Sequence, residues 1–433
     1  MSDAVVGSVA IGLFFVMLTA GFPIALAMAG SGIVGLLLLQ PFDVAISSVA
    51  LVSWQSLQHI TLLAIPLFIL LGNILIYSGL AGELMTMFSR WFSRFPGGLG
   101  VASIYSCAVL GAMVGNSSAA VATIGGVAIP EMEKRNYSLR VSCGCLCASG
   151  TLAILIPPST EMIMYSVVSG MSVGHLFFAG LIPGICLATL FALLVMTISK
   201  FGSGAPSTFH TSWQSRFASL SRVWPAALLV LSVLGGIYLG VMTPTEAASV
   251  GAFIAWLLVT FYYRNFAWGK LWGALLATLR VSSMIFMIIV GAAILGYTLT
   301  LVHIPQNIAA AVVGISDSKW IILAVMCAIV IVAGCFLSVA AITFLIIPIF
   351  LPIVNSVGLD PLTFAMTYVI LAETALITPP VGINLYIING LVKKARLIED
   401  IAWGAAPYLL VMVVMIAIIW LLPWLTHFLP STL

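Results

Sequence analysis

Apolar positions along this chain form long unbroken runs separated by short polar stretches, without the period of an amphipathic helix or the alternation of a half-buried strand. A helix crossing a bilayer needs about 20 apolar residues. Runs of that order predict spans at about 4–20, 22–39, 60–78, 141–170, 175–199, 223–241, 244–263, 281–303, 362–390 and 403–428. Two more runs, about 99–130 and 320–354, are too short for two crossings. Basic residues flank the first on both sides, and Asp317 and Asp360 flank the second. Each therefore leaves the membrane on the side where it entered, which predicts a re-entrant helical hairpin. The stretch "MFSRWFSRFPGG" reads as an amphipathic surface helix bearing Arg90 and Arg94, and Asp43 and Trp54 fall on an outer segment.

Two runs contain breaks that a bilayer makes costly. "TLAILIPPSTEMIMY" carries Pro157 and Pro158 followed by Ser159 and Thr160; "ETALITPPVGINLYIINGL" carries Pro379 and Pro380. A proline inside a helix removes a donor and clashes with the preceding turn, at about 3 kcal/mol. The two pairs are separated by 222 residues (379 − 157), and Pro130 and Pro352 by the same 222 (352 − 130). Pro23 and Pro244 differ by 221 (244 − 23), as do Gly30 and Gly251 (251 − 30). This shared shift predicts an internal repeat, 1–222 and 223–433, each half holding one hairpin and one Pro-Pro-broken helix.

Charge gives the repeat its direction. Cytoplasmic loops collect Lys and Arg. With both termini outside, every one of the 15 basic residues except Lys319 falls inside, including Lys393, Lys394 and Arg396. Corresponding elements then cross in opposite senses, so the expected fold is an all-α polytopic membrane protein with an inverted-topology repeat. Such repeats place binding sites at the bilayer midplane, where half-helix ends and unwound backbone hold ions. Irregular backbone at that depth is tolerated because it lines a site.

Composition agrees: 62% of residues are hydrophobic and 6% charged, against about 25% charged in a soluble domain. The first run lacks a preceding basic segment and reads as a retained span rather than a cleaved signal. Of the seven cysteines, Cys143, Cys145 and Cys147 alternate on one apolar segment and read as packing residues. No HExxH, GxSxG or Walker sequence is present, and no enzyme activity, cofactor or nucleic-acid partner is expected. A channel is disfavoured by the paired helix breaks, which suit alternating access.

The segments "GNSSAAVATIGGVAIPEMEKRNYS", "GTLAILIPPSTEMIMYSVVSGMSVGHLFFAGLIPG", "TPTEAASVGA" and "ITPPVGINLYIINGL" resemble the large membrane subunit of tripartite ATP-independent periplasmic (TRAP) transporters over nearly the whole chain. The resemblance implies a sodium-driven importer in a bacterial inner membrane, with Na+ as coupling ion. It implies two partners, a small four-helix membrane subunit and a periplasmic substrate-binding protein, and a small organic acid, carboxylate or sulfonate, as substrate. It also implies elevator movement of a domain built from hairpins and broken helices against a scaffold of the other spans. Ser338 stands in the second hairpin where many members of that family carry an acidic residue. The alternative is an organic anion symporter of related fold, coupled to Na+ or H+, that needs no binding protein.

Candidate ligands cluster at the breaks. Gly115, Asn116, Ser117 and Ser118 suit a hairpin tip with an N-cap, and their oxygens suit sodium or a carboxylate's partners. Ile156, Pro157, Ser159 and Thr160 surround the first break; Thr378, Pro379, Gly382 and Asn384 the second; Ser338 the second hairpin. Asn116, Ser117 and Thr378 are the expected sodium ligands. Glu373 and Glu161 are acids beside the breaks, and an ionisable residue in a span is a functional candidate by default; Glu373 is the candidate coupling acid. "TPTE", Thr243 to Glu246, has a complete structural account as a capping box. His59 and His303 read as surface or packing residues near the outer interface.

Overall fold

The computed structural model describes residues 3–201, 211–264, 267–314, 316, 318–392 and 398–432. Among them, regular structure is helical throughout. That follows from the sequence: in hydrocarbon every backbone group needs an internal partner, and a helix supplies one within each segment. The chain opens with α1 (Asp3–Thr19), α2 (Ile24–Leu39), α3 (Phe42–Leu57), α4 (Ala64–Ile76) and α5 (Leu80–Trp91). There follow α6 (Gly98–Val114), α7 (Ser117–Lys134), α8 (Leu139–Leu155), α9 (Thr160–Ser169) and α10 (Val173–Phe201), and then the short α11 (Trp213–Leu220). The remainder runs through α12 (Trp224–Tyr238), α13 (Pro244–Leu257), α14 (Trp268–Leu301), α15 (Ile304–Val313), α16 (Lys319–Gly334) and α17 (Val339–Ser356). It closes with α18 (Pro361–Ala375), α19 (Ile383–Leu391), α20 (Ile398–Leu421) and α21 (Trp424–His427).

Each stretch expected to hold a hairpin or a broken helix consists of two helices with a short break between them: α6 and α7, α16 and α17, α8 and α9, α18 and α19. The hairpin limbs α6 and α7 span 17 and 18 residues, longer than the short limbs expected. At 1.5 Å per residue each is about 26 Å long, so a limb reaches across much of the bilayer depth. The Leu99 amide donates to the Tyr137 hydroxyl at 3.4 Å, which brings the two open ends together. The helix pair α8 and α9 bends by 45° at its break.

Other expectations are corrected. The span placed at 60–78 is a 13-residue helix, α4, preceded by a 3-10 turn and by α3, which meets it at 64°. The span placed at 281–303 is the end of a single 34-residue helix, α14, that absorbs Lys270 and Arg280. The amphipathic helix α5 ends at Trp91, so it holds Arg90 and leaves Arg94 beyond it. The last span stops at Leu421, before Pro423. Among the described residues, five helices, the hairpin limb α17 included, are long and apolar enough to cross a membrane alone, or up to eight with each bent pair taken as one span; of the ten runs, α1 and α2 fall short at 17 and 16 residues and the run at 362–390 is divided between α18 and α19. Asp317, Lys393, Lys394 and Arg396, used in the charge argument, lie outside the described residues.

Packing joins helices distant in sequence, and α14 and α15 lie against α17 and α4 against α6. α2 lies along α14, α4 along α13, and α12 beside α13. The hairpins and broken helices pack with one another, crosswise: α7 against α19, and α17 against α9. Large side chains such as Phe15, Leu231, Trp272 and Val413 are exposed on the outer surface, as lipid-facing residues are. The Thr243 capping box forms as expected, with the Thr243 and Glu246 amides each bonded to the other's side chain at 2.7 Å and 3.3 Å.

Candidate site at the hairpin tip and the helix breaks

The first hairpin turns in two residues. Gly115 ends α6 at φ 63°, a left-handed conformation that costs glycine little. Asn116 is extended, and its Oδ1 accepts the Ala119 amide at 3.0 Å to start α7. The Gly115 carbonyl, left without a helical partner, accepts the Thr160 hydroxyl at 2.8 Å. Tip and first break are thereby joined. Ser159 starts α9 by accepting the Met162 amide at 3.3 Å. Ile156, the last residue tied to α8, is buried against Gly184.

The second break takes seven residues, from Leu376 to Gly382, where the first takes four, from Ile156 to Ser159. Both Pro-Pro bonds are cis. The Asn384 amide donates back across the gap to the Leu376 carbonyl at 3.0 Å, and Gly382, at φ 34°, carries the turn into α19. Thr378 donates its hydroxyl to the Thr374 carbonyl at 2.6 Å.

Asn384 brings the two halves together. Its side chain is fully buried. Its Nδ2 donates to the Ser117 hydroxyl at 2.9 Å and to the Cys147 carbonyl at 3.4 Å, and its Oδ1 accepts the Ser118 hydroxyl at 3.5 Å. A buried amide in an apolar helix needs such partners, since each unmade bond costs about 1–3 kcal/mol. Gly150 makes room for the contact: a Cβ there would meet Val121, the Ser117 carbonyl at 3.2 Å and Asn384 Nδ2 at 3.3 Å.

Of the candidates, Gly115, Ser117, Ser118 and Asn384 are thus gathered with Thr160 around one junction, with Asn116 capping it. Thr378 and Ser338 are not hydrogen-bonded to it; Ser338 caps its own helix α17 by accepting the Ala341 amide at 3.4 Å. Glu373 sits beside the junction, 1% exposed, with no hydrogen-bond partner for either carboxyl oxygen. Ser117 and Glu161 lie within its electrostatic reach. His59 is exposed and lines a cavity of about 660 Å³ with His175 and Thr243, away from the junction.

Four neighbours were not foreseen: Tyr165, Tyr368, Thr343 and the Cys147 carbonyl. Tyr165 and Tyr368 face each other with ring centroids 5.6 Å apart, and the Tyr368 hydroxyl shares a 2.7 Å hydrogen bond with Thr343. A sequence signal existed for one of them: Tyr165 follows Glu161 by four residues, which puts both on one helix face. The Cys147 carbonyl has no side-chain signal at all.

The family model for the DctM component of tripartite ATP-independent periplasmic transporters matches residues 11–425. The chain is 34% identical over 406 residues to the C4-dicarboxylate TRAP transporter large permease protein DctM of Pseudomonas aeruginosa, covering 93% of each. It is 30% identical over 430 residues to the isethionate TRAP transporter permease protein DctMQ of Oleidesulfovibrio alaskensis, covering 96% of this chain and 65% of that protein. The crystal structure of the Alcanivorax borkumensis YdaH transporter superposes with a TM-score of 0.55 at 13% identity, covering 82% of this chain and 84% of the other. At that identity the likeness concerns the fold alone.

Proposed function

We propose a sodium-coupled uptake mechanism for this chain, which belongs to the DctM family of tripartite ATP-independent periplasmic transporters. It is a permease subunit of a multi-pass membrane transporter and not an enzyme. The substrate is a small organic acid, carboxylate or sulfonate, delivered by a periplasmic binding protein, and a small membrane subunit completes the complex. The names of the relatives, a C4-dicarboxylate permease and an isethionate permease, support that substrate class. The membrane is the bacterial inner membrane, with both termini on the periplasmic side, as the distribution of basic residues favours.

The observation that carries the reading is the buried junction of Asn384 with Ser117, Ser118 and the Cys147 carbonyl. It ties the second broken helix to the tip of the first hairpin, residues 267 positions apart in the chain. Uncharged oxygens and half-helix ends concentrated at membrane depth suit a sodium ion and an anionic substrate group. Asn116, Ser117 and Thr378 are the proposed sodium ligands, with Thr378 released from the Thr374 carbonyl when the ion binds.

The arrangement is an inverted repeat of 1–222 and 223–433. Its support is the recurrence of element starts: Ser117 and Val339 differ by 222 (339 − 117), as do Leu139 and Pro361 (361 − 139). Hairpins and broken helices form the moving domain, and α1–α4 with α12–α15 form the scaffold; the packing of α2 along α14 and of α4 along α13 supports the second group. The test is uptake into proteoliposomes holding this chain and its small subunit, using an acid that stabilises the binding protein thermally. Uptake that requires both an inward sodium gradient and the binding protein supports the proposal. Uptake without the binding protein replaces it with the self-sufficient symporter, and uptake without sodium removes the coupling ion.

A further inference from the structure

The geometry points to a binding site for one anionic phospholipid, its phosphate held by arginines of the α5 and α11 region and one acyl chain laid in the apolar groove beside them.

The groove, of about 520 Å³, lies between α12 on one side and α5, α6 and α10 on the other. Phe88, Tyr105, Ile156, Ile185, Val230 and Leu231 are part of its wall. From Ala226 to Leu234 it follows α12 for about 12 Å, close to half of a hydrocarbon core about 30 Å thick. The rings of Phe178 and Tyr238, with centroids 3.9 Å apart, meet one turn beyond Leu181 and Leu234 and close that end. The other end is bordered by Phe88, Leu220 and Val223, and the arginines stand there.

Arg90 follows Phe88 by two residues, and Arg222 falls between Leu220 and Val223. Arg94 and Arg216 share one ring, their guanidinium carbons 5.8 Å and 4.8 Å from the Trp213 centroid. Arg216 is buried and also donates to the Thr211 and Ser93 hydroxyls, both at 3.3 Å, while Arg90 donates to the Ser215 carbonyl at 3.1 Å. These contacts fix the side chains without neutralising them. Among the described residues, none of the four arginines forms an ion pair, and no acidic residue occurs between Glu161 and Glu246. Glu83, which acts on Arg222 through space, accepts the Tyr263 hydroxyl at 3.1 Å. Like charges gathered without a counter-ion repel, and a phosphate between guanidinium groups replaces that repulsion with strong charge-assisted bonds. The exposed Trp213 and Trp224 suit the headgroup level of a bilayer, so a phosphate at the arginines leaves its chain to enter the groove.

The second half of the molecule supplies a comparison. Another apolar groove, of about 700 Å³, lies among α1, α14, α15, α16 and α17. α16 starts 221 residues after α6 (319 − 98), so the two grooves border corresponding hairpin limbs. No Lys or Arg stands within four residues of any side chain lining the second groove. Both grooves suit an acyl chain, and charge assigns the anionic headgroup to the first. Since α12 belongs to the proposed scaffold while α6 and Ile156 belong to the proposed moving domain, the lipid bridges the two; this consequence rests on the proposed function.

The experiment is native mass spectrometry of the permease with its small subunit, titrated with phosphatidylglycerol and, separately, with phosphatidylethanolamine of the same chains. Wild type should retain one phosphatidylglycerol and bind the zwitterionic lipid about tenfold more weakly. The double variant Arg94→Gln, Arg222→Gln, which removes two exposed charges, should weaken phosphatidylglycerol about tenfold. Ala227→Trp, at an exposed position in the groove, should weaken both lipids and leave the small subunit bound. Equal affinity for the two lipids in wild type overturns the inference, as does wild-type affinity for phosphatidylglycerol in the arginine variant. Release of the small subunit by Ala227→Trp makes that subunit the occupant and overturns it too. In proteoliposomes, phosphatidylglycerol should raise the initial rate of sodium-driven uptake in wild type and not in the arginine variant. Wild-type uptake that ignores the lipid overturns the bridge; no uptake in any lipid sinks the proposed function instead.

Discussion

At the first break, residues 156–160 are all buried; at the second, Pro379, Pro380, Val381 and Ile383 are exposed. The two breaks carry the same proline pair, and both sit in a helix that packs against its own hairpin. The difference arises from the hairpin tips. The first tip closes in two residues and places the Gly115 carbonyl on Thr160, so tip and break seal each other. The second tip takes four residues, from Cys335 to Ser338; Phe336 turns outward at 62% exposure, and Ser338 is spent capping α17. Like chemistry therefore gives one closed break and one open break in the same molecule. In the proposed transport cycle that asymmetry is what distinguishes the side that is shut from the side that is accessible.

Changes at the sealed half should cost more than changes at the open half. Gly150→Leu has the largest expected effect, because a side chain there meets Val121 and the Ser117 carbonyl. Overpacking of this kind costs about 1–3 kcal/mol or more, and melting followed by tryptophan fluorescence should show a markedly less stable or unfolded chain. Asn384→Leu leaves the Ser117 and Ser118 hydroxyls and the Cys147 carbonyl without their shared partner. A loss of about 1–3 kcal/mol is expected, together with loss of uptake in the reconstituted complex. Thr160→Val removes the hydroxyl bond from first break to tip and leaves only the longer one, from the Thr160 amide to the same Gly115 carbonyl at 3.4 Å. Its cost is about 1 kcal/mol, and it should raise the reactivity of a cysteine placed at Ser159. Tyr386→Phe, which deletes an exposed hydroxyl donating to Pro380 at 3.2 Å, should stay within about 0.5 kcal/mol of wild type. An equal response at both halves would remove the asymmetry.

Local features were legible in the sequence because local rules produce them. Asn116, Ser159 and Ser338 all cap the helices that follow them, and Thr243 with Glu246 forms its box. The breaks at Pro157 and Pro379 were legible for the same reason. Helix lengths were less so: apolar composition alone cannot tell that Lys270 and Arg280 continue α14 or that α3 meets α4 at 64°. Partners across the chain were not legible. Asn384 stood out as a polar residue in an apolar helix, but its bond to Ser117 depends on how two halves pack, which no local spacing encodes. The facing of Tyr165 and Tyr368, and the engagement of Thr378 with its own helix, are of the same kind.

The most direct test is sided thiol labelling of the two breaks. A chain with its seven native cysteines replaced would carry one cysteine, at Ser159 or at the exposed Val381. A membrane-impermeant maleimide would be applied to right-side-out and inside-out vesicles, with and without sodium and loaded binding protein. The account predicts that, without these additions, Val381→Cys labels and Ser159→Cys does not. With them, the side from which Val381→Cys labels changes. Equal labelling at both positions, or labelling that sodium and loaded binding protein leave untouched, would contradict it.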